Sequence, residues 1–139
     1  MAKEKLKILI VDDEFSNRKL LELYLKPFGM CWMADTGNES LVQVEEHLKT
    51  GKNFDVILLD IMMPNMDGQV ALKKIREIES QNGILPGAGA KIIMVTALRD
   101  AKNIMTAFQE QCETYLVKPI ERERLLAELV QLKLIDPVE

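Results

Sequence analysis

Five polar residues stand where apolar segments of this 139-residue chain end. One aliphatic run leads into Asp12 and Asp13, a second leads into Asp60, and a third leads into Thr96. A shorter run ends at Lys118. One carboxylate after an apolar run indicates little, but three carboxylates, a hydroxyl and an ammonium in equivalent positions indicate a shared site.

The residue types at these positions suit a divalent metal ion and phosphoryl transfer. Two unit charges about 4 Å apart repel by about 4 kcal/mol at an effective dielectric of about 20, so neighbouring carboxylates need a cation. Mg²⁺ prefers oxygen ligands and accepts a few carboxylates together with water. In such a site Asp60 would attack a phosphoryl group, Lys118 would neutralise its charge, and Thr96 would donate a hydrogen bond to one of its oxygens.

Strands that alternate with helices must position these residues. The apolar runs predict five strands, at 6–11, 30–34, 56–59, 91–97 and 114–117. Helices are expected in the segments that follow them, at 20–28, 37–49, 70–78, 101–108 and 125–132. Thr36 and Glu39 have the spacing of a capping box at the start of the second helix, and Asp100 can cap the fourth.

Such alternation predicts an α/β fold with a parallel sheet covered by helices on both faces. In open parallel sheets, binding and chemistry gather at the carboxyl ends of the strands. We therefore expect the carboxylates, the hydroxyl and the ammonium to meet at one edge of the sheet.

Composition limits the other classes of protein. Hydrophobic residues make up 47% and charged residues 29%, which is typical of a single globular domain. The net charge of −4 makes nucleic acid a poor default partner. No apolar run approaches the roughly 20 residues of a membrane span, and the charged start lacks a signal-peptide core. Cys31 and Cys112 show no metal spacing, so we expect reduced thiols in a cytoplasmic protein.

The segments ILIVDDE, VILLDIMMPNMDG, IIMVTA and YLVKP together resemble the receiver domain of bacterial two-component response regulators, the CheY-like family. The resemblance covers almost the whole chain and implies a single receiver domain over 1–139. It implies a flavodoxin-like, doubly wound (βα)5 fold with a five-stranded parallel sheet in the order 2-1-3-4-5, the order known for this family. It also implies a cis peptide bond between Lys118 and Pro119.

The resemblance further implies a phosphorylation-dependent signalling switch. Asp60 would take a phosphoryl group from a sensor histidine kinase or phosphotransfer protein, and the domain would then change its surface for a downstream target protein. Mg²⁺ would be held by Asp13 and Asp60, by Asp12 through water, and by the backbone carbonyl of Met62. The domain would not be a conventional enzyme, since it would catalyse only its own phosphorylation and a slow autodephosphorylation.

Other positions of the family motif carry the switch and set its lifetime. Lys118 and Thr96 would contact the phosphoryl group, and Tyr115 would be the aromatic switch residue. Met62 and Leu98 occupy the positions that tune hydrolysis in this family. Because both are apolar and neither can orient an attacking water, we expect the phosphorylated state to last for minutes or longer.

Two segments depart from the family pattern. Residues 111–114, with the sequence QCET, stand where many receivers have a Gly-Ala pair before the last strand. The glycine-containing loop at 81–90 is also longer than in the shortest members. Neither segment includes a predicted site residue.

Two other classes of function remain open at this stage. A phosphatase of the haloacid dehalogenase type carries an acid two residues after its nucleophile, where this chain has Met62. A pseudo-receiver would keep the fold as a binding module without the chemistry, against which the intact site residues argue. Purely structural roles are the alternative for single residues: Asp12 and Asp13 as a helix cap, and Lys118 as a surface charge. We expect His47, the only histidine, on a helix surface.

Overall fold

The computed structural model of the protein describes residues 5–97 and 112–137, which form five strands and four helices. The strands are β1 (Leu6–Val11), β2 (Gly29–Ala34), β3 (Val56–Asp60), β4 (Lys91–Thr96) and β5 (Thr114–Val117). The helices are α1 (Phe15–Leu25), α2 (Gly37–Lys49), α3 (Gly68–Gln81) and α4 (Arg122–Gln131). The helix expected at 101–108 and its cap Asp100 lie outside the described residues.

All neighbouring strands pair in parallel, and the sheet has the order β2-β1-β3-β4-β5. Both the predicted α/β class and the family's strand order are therefore confirmed. The register aligns Val11 with Leu59 and Asp60 with Val95, so the carboxyl ends of the central strands lie at one level. This alignment brings the residues that follow these strands to one edge of the sheet.

The central strands are almost wholly apolar because helices cover both faces of the sheet. Alternate residues point to opposite faces. Leu9 and Ile57 pack with residues of α2 and α3, whereas Ile8 and Leu58 pack with residues of α1 and α4. Among the described helices, none is long and apolar enough to cross a membrane.

Caps fix where two of the helices begin. The Thr36 hydroxyl accepts a hydrogen bond from the Glu39 N–H at 3.0 Å, as the capping-box spacing predicted for α2. Asp67 caps α3, since its Oδ1 accepts hydrogen bonds from the backbone N–H groups of Gln69 and Val70. Asp67 therefore fixes the start of the helix that follows the β3 loop.

His47 lies on helix α2, as expected, and is half-buried because its ring contacts two other rings. Its ring packs edge-on against Trp32, with centroids 4.8 Å apart, and lies 4.3 Å from the ring of Phe54. Lys7 Nζ lies 5.5 Å from the Trp32 centroid. The last turn of α2 thus lies over the edge strand β2, where burial and then the charge of Lys7 lower the pKa of His47.

A network of charged side chains lies at the opposite, amino-terminal edge of the sheet. We call it the amino-edge network; its members are Asn53, Arg76, Glu79 and Glu113. Arg76 contacts Glu79 at 2.7 Å and Glu113 at 3.1 Å. Glu79 also accepts hydrogen bonds from Asn53 Nδ2 at 2.9 Å and from the Ala90 N–H at 2.8 Å. Every carboxylate of this network thus has both a cationic partner and a backbone or amide donor.

The amino-edge network involves both segments that depart from the family pattern. Glu113 belongs to the QCET segment, and its Oε1 accepts a hydrogen bond from the Ile92 N–H at 2.6 Å. Gly89 lies in the long loop, so close to Glu79 that a Cβ at this position would collide with the carboxylate. The QCET segment and the long loop are therefore connected through the amino-edge network, which binds the backbone at the start of β4.

Candidate functional site

The five predicted site residues meet at the carboxyl-terminal edge of the sheet; we call this group the carboxyl-edge site. Carboxylate oxygens of Asp12, Asp13 and Asp60 all lie within 4.8 Å of one another. Lys118 Nζ lies 3.2 Å from Asp60 Oδ2 and 3.3 Å from Asp12 Oδ2. Thr96 is the last residue of β4, next to β3, and is fully buried.

The loop between β1 and α1 holds Asp12 by several contacts. Its backbone N–H donates to the Ala34 carbonyl at 3.1 Å, which continues the pairing of β1 with β2. Its Oδ1 accepts a hydrogen bond from the Glu14 N–H at 2.9 Å. The N-cap residue of α1 is Glu14, and its side chain makes no capping bond. Asp12 therefore binds the entry of the helix without being its cap, and its other oxygen faces Lys118.

The loop after β3 holds Asp60. Its Oδ1 accepts a hydrogen bond from the Met62 N–H at 3.2 Å, and Ile61 N–H donates to the Val95 carbonyl at 3.0 Å. Gly68 N–H then donates to the Ile61 carbonyl at 2.7 Å and closes the loop. A Cβ on Gly68 would collide with the Asp60 carbonyl oxygen, so this close approach requires glycine.

Lys118 and Thr96 come from neighbouring strands. Lys118 N–H donates to the Thr96 carbonyl at 2.8 Å, which fixes the two residues side by side. The Lys118–Pro119 peptide bond is cis, as expected from the resemblance. The Thr96 hydroxyl donates to the Ala97 carbonyl at 3.1 Å. In this state the hydroxyl is therefore engaged by the backbone and not by Asp60.

The charges of the carboxyl-edge site are not balanced, because three carboxylates face one ammonium. Burial and the neighbouring Asp12 carboxylate raise the pKa of Asp60 to about 6, although Lys118 opposes the shift. Burial alone would lower the pKa of Lys118, but the charges of Asp60 and Asp12 outweigh it and the pKa is raised. The site therefore favours an additional cation.

The donor set fits a hard divalent cation. All three carboxylates offer oxygen, which Mg²⁺ prefers, and no sulfur or nitrogen competes within this cluster. Asp12 and Asp60 are only 1% and 3% exposed, whereas Asp13 is exposed to solvent. Such an arrangement leaves one side of an ion open to water and to a ligand.

The remaining predicted residues lie around this edge. Met62 is 53% exposed and follows Asp60 on the loop. Tyr115 is half-buried on β5 and packs against the core between the sheet and helices α2 and α3. Leu98 lies outside the described residues.

Sequence reasoning missed two residues that shape the site. No role at the site was expected for Gly68, because its contact with Asp60 depends on how the loop folds back. Arg18 was not singled out, and its guanidinium Nη1 donates to the Asp12 carbonyl at 2.7 Å. The signal that could have indicated Arg18 is its position: it lies one turn into the helix that follows the acidic pair Asp12 and Asp13.

The response regulator receiver domain family matches residues 8–130 of the chain. This chain belongs to that family. Receiver domains are signalling switches of two-component systems, so the predicted recognition is confirmed. The match includes every residue of the carboxyl-edge site and of the amino-edge network.

The similarity extends to proteins of very different length. The chemotaxis protein CheY of Bacillus subtilis is 32% identical over 122 residues, which are 86% of this chain and 91% of that protein. The transcriptional regulatory protein ZraR of Salmonella typhimurium is 33% identical over 126 residues, 90% of this chain. The chain spans only 26% of the length of ZraR.

Solved receiver structures share the fold. A chain of the CheX–CheY–BeF₃–Mg²⁺ complex from Borrelia burgdorferi is 27% identical, with a TM-score of 0.76 over 92% of this chain and 89% of that one. A CheY-like receiver domain protein from Methanospirillum hungatei is 25% identical, with a TM-score of 0.77 over 93% and 94% of the two chains.

Proposed function

We propose that this receiver domain, as a single unit over 1–139, is a phosphorylation-dependent switch with Asp60 as its phosphoacceptor. The observation that carries the proposal is the position of the Asp60 carboxylate. It is buried at a strand end, 3.2 Å from Lys118 Nζ, and shares the site with two further carboxylates. A carboxylate that is poorly stabilised as an anion is suited to react with an electrophilic phosphorus.

The phosphoryl group would come from the phosphohistidine of a sensor histidine kinase or phosphotransfer protein. An Asp60 oxygen forms a new P–O bond while the P–N bond breaks, and the electron pair returns to the imidazole. Lys118, which contacts Asp60 before the reaction, would stabilise the negative charge that develops on the phosphoryl oxygens. The Met62 N–H, already bonded to Asp60 Oδ1, keeps the carboxylate oriented during the transfer.

The residues that would hold Mg²⁺ are Asp12, Asp13, Asp60 and the carbonyl of Met62. Bound there, Mg²⁺ supplies positive charge to the oxygens of the transferring phosphoryl group. The mixture of two buried carboxylates and one exposed carboxylate supports this assignment, since Mg²⁺ usually keeps several waters.

A groove of about 330 Å³ beside the site supports docking of a protein donor. Its lining includes Asp12 and Lys118 together with four apolar residues, which are Leu20, Leu21, Pro119 and Ile120. Lys118, which lines the groove, contacts Asp60 at 3.2 Å, so a phosphorylated side chain bound in the groove would lie near Asp60. The groove therefore offers apolar contact area next to the reacting atoms.

Thr96 and Tyr115 would convert the reaction into a change of surface. The phosphoryl oxygens would recruit the Thr96 hydroxyl away from the Ala97 carbonyl, and Tyr115 would move into the space that Thr96 leaves. Hydrogen bonds to charged groups are worth roughly 1.5–3 kcal/mol each, enough to shift a two-state equilibrium with a gap of a few kcal/mol. A downstream target protein would then bind the altered surface around β5.

Incubation with acetyl phosphate and Mg²⁺ tests the proposal, with the intact mass as readout. The wild-type protein should gain one phosphoryl group, Asp60→Asn should gain none, and chelation of Mg²⁺ should abolish the gain. Asp67→Asn is the matched control, because Asp67 lies on the same loop but caps α3. Labelling of Asp60→Asn at the wild-type rate would exclude Asp60, and failure of every form to label would favour a pure binding module.

Two further readouts distinguish the remaining possibilities. Steady turnover of a phosphate monoester such as p-nitrophenyl phosphate would indicate a phosphatase, and we expect none. Addition of beryllofluoride with Mg²⁺ should shift the NMR signals of Tyr115 and Thr96 together. A Tyr115 signal that does not respond would remove this residue from the switch.

A further inference from the structure

We infer that Arg18 is a positioning residue that holds the acidic loop in the geometry needed for Mg²⁺. This inference rests on the proposed function, since it concerns the same carboxylates. Arg18 Nη1 donates to the Asp12 carbonyl oxygen at 2.7 Å, across the first turn of α1. The contact joins a side chain of the helix to the backbone between the first two acidic residues of the carboxyl-edge site.

The Asp12 carbonyl and the Asp13 N–H belong to one planar peptide unit. Fixing the carbonyl therefore fixes the orientation of the whole unit, and with it the point from which the Asp13 side chain starts. Asp12 itself is held by Ala34, Glu14 and Lys118. Asp13 is exposed, so its position depends much more on the backbone that Arg18 holds.

Other contacts hold the Arg18 side chain and backbone in place. Its backbone N–H donates to the Glu14 carbonyl at 3.1 Å as part of α1, and the side chain is half-buried. The guanidinium carbon lies 5.7 Å from the ring centroid of Phe15, within the range of a cation–π interaction. A planar guanidinium placed in this way keeps its donor directed at one acceptor better than a flexible ammonium does.

Removal of Arg18 should change the Mg²⁺ affinity in opposite directions, depending on whether Arg18 acts only through its charge or by positioning the acidic loop. A guanidinium next to the acidic loop repels a divalent cation, so removal of its charge alone should tighten Mg²⁺ binding. If Arg18 instead holds the loop, its removal should weaken binding because Asp13 is no longer held beside Asp12 and Asp60. The sign of the change therefore separates the two roles.

Lys19 provides the matched control. It carries the same charge on the next residue of α1, and its Nζ lies 5.9 Å from the same Phe15 ring. Its salt bridge is with Glu22, at 3.0 Å, and it makes no described contact with Asp12. Lys19→Met thus removes an equal charge from the same region without touching the acidic loop.

The experiment is a titration of the unphosphorylated protein with Mg²⁺, followed by the backbone amide signals in NMR. Loss of a hydrogen bond from a charged donor should weaken Mg²⁺ binding by about three- to tenfold in Arg18→Met. Lys19→Met should bind as tightly as the wild type or slightly more tightly. Arg18→Lys, which can still donate to the carbonyl, should recover most of the affinity and bring the Asp13 amide signal back toward its wild-type position.

Arg18→Met that binds Mg²⁺ as tightly as Lys19→Met would overturn this inference and leave the proposed function intact. A wild-type protein that binds no Mg²⁺ would overturn both. If Arg18→Met does not fold, Arg18→Gln takes its place, since it also removes the charge and is too short to reach the Asp12 carbonyl as the guanidinium does. Arg18→Gln that binds Mg²⁺ as tightly as Lys19→Gln would overturn the inference.

Discussion

The two edges of the sheet both gather charged side chains, but they differ in how those charges are compensated. In the amino-edge network, Arg76 lies between Glu79 and Glu113, and backbone or amide donors bind the same carboxylates. In the carboxyl-edge site, Lys118 is the described cation that forms ion pairs with Asp12 and Asp60, whereas Arg18 bonds the backbone carbonyl of Asp12.

This difference separates a structural network from the site that we propose to be reactive. Glu79 has a donor on each of its oxygens: Arg76 bonds Oε1, and Ala90 and Asn53 bond Oε2. The Asp60 carboxylate has two donors as well, but the nearby Asp12 charge and burial still raise its pKa to about 6. Buried charge therefore stabilises the amino-edge network. At the carboxyl-edge site the buried carboxylates are not fully compensated, which favours binding of a cation and reaction with an electrophile.

The largest effect is expected from breaking the amino-edge network. Glu79→Gln keeps the shape of the buried side chain but leaves the half-buried guanidinium of Arg76 without one of its charge partners. We expect a loss of about 2–4 kcal/mol in the free energy of unfolding, measured by urea denaturation. Glu77→Gln is the control, because Glu77 is exposed on the same helix and should change stability by less than about 0.5 kcal/mol. Equal stabilities of the two variants would show that the network contributes little.

The opposite sign is expected at the carboxyl-edge site. The pKa of Asp60 lies above its usual value of 3.8, so its carboxyl stabilises the folded state at low pH and loses that contribution as pH rises through about 6. Asp60→Asn should therefore stabilise the metal-free protein at pH 7 by about 1–3 kcal/mol. The gain should disappear near pH 4, where the carboxyl is protonated in the folded protein.

Urea denaturation in EDTA at the two pH values measures this difference. Asp67→Asn serves as the control for the same substitution in an exposed helix cap, where loss of the carboxylate should not stabilise the protein. A destabilised Asp60→Asn at pH 7 would mean that Lys118 already compensates the carboxylate, as Arg76 does for Glu79. The contrast between the two edges would then be wrong.

The smallest effect concerns the lifetime of the phosphorylated state. Met62 is apolar, exposed and two residues after Asp60, the proposed phosphoacceptor, so it cannot orient an attacking water. Met62→Asn should speed the decay of phosphorylated protein in Mg²⁺ buffer a few-fold, about 1 kcal/mol in the barrier, without a change in stability. Combination with Leu98→Glu should increase the effect.

Met30→Asn is the control for the lifetime measurement, since Met30 is also exposed, at 62% against 53% for Met62, but lies on β2. It should leave the decay rate unchanged. If the double variant with Met62→Asn and Leu98→Glu decays no faster than the parent, these residues do not set the lifetime.

The strand ends were predictable from the sequence because they depend on local pattern and on one general rule. Apolar runs identified the strands, and the rule that parallel strands place their carboxyl ends together identified Asp12, Asp60 and Lys118 as neighbours. The strand order came from the family resemblance and not from periodicity. Thr96 was placed correctly at its strand end, but the direction of its hydroxyl toward Ala97 was not predictable.

The contacts that escaped prediction join segments that are distant in sequence. Asn53 and Glu79 are 26 residues apart, and Arg76 and Glu113 are 37 apart. No local signal in the sequence indicates which of the many polar and charged side chains will bond to one another, since that depends on how the helices lie against the sheet. The ring contacts of His47 with Trp32 and Phe54 were not predictable for the same reason, because they form only after the chain has folded.

The most direct test of this account is the pKa of the Asp60 carboxyl, measured by ¹³C NMR with and without Mg²⁺. Asp60→Asn assigns the signal, and Asp67 provides an exposed carboxyl in the same loop for comparison. In the metal-free protein the midpoint should lie near pH 6, and saturating Mg²⁺ should lower it, because the ion favours the carboxylate. A midpoint near pH 4 without metal, or one that Mg²⁺ does not move, would contradict the claim that this edge holds an uncompensated charge.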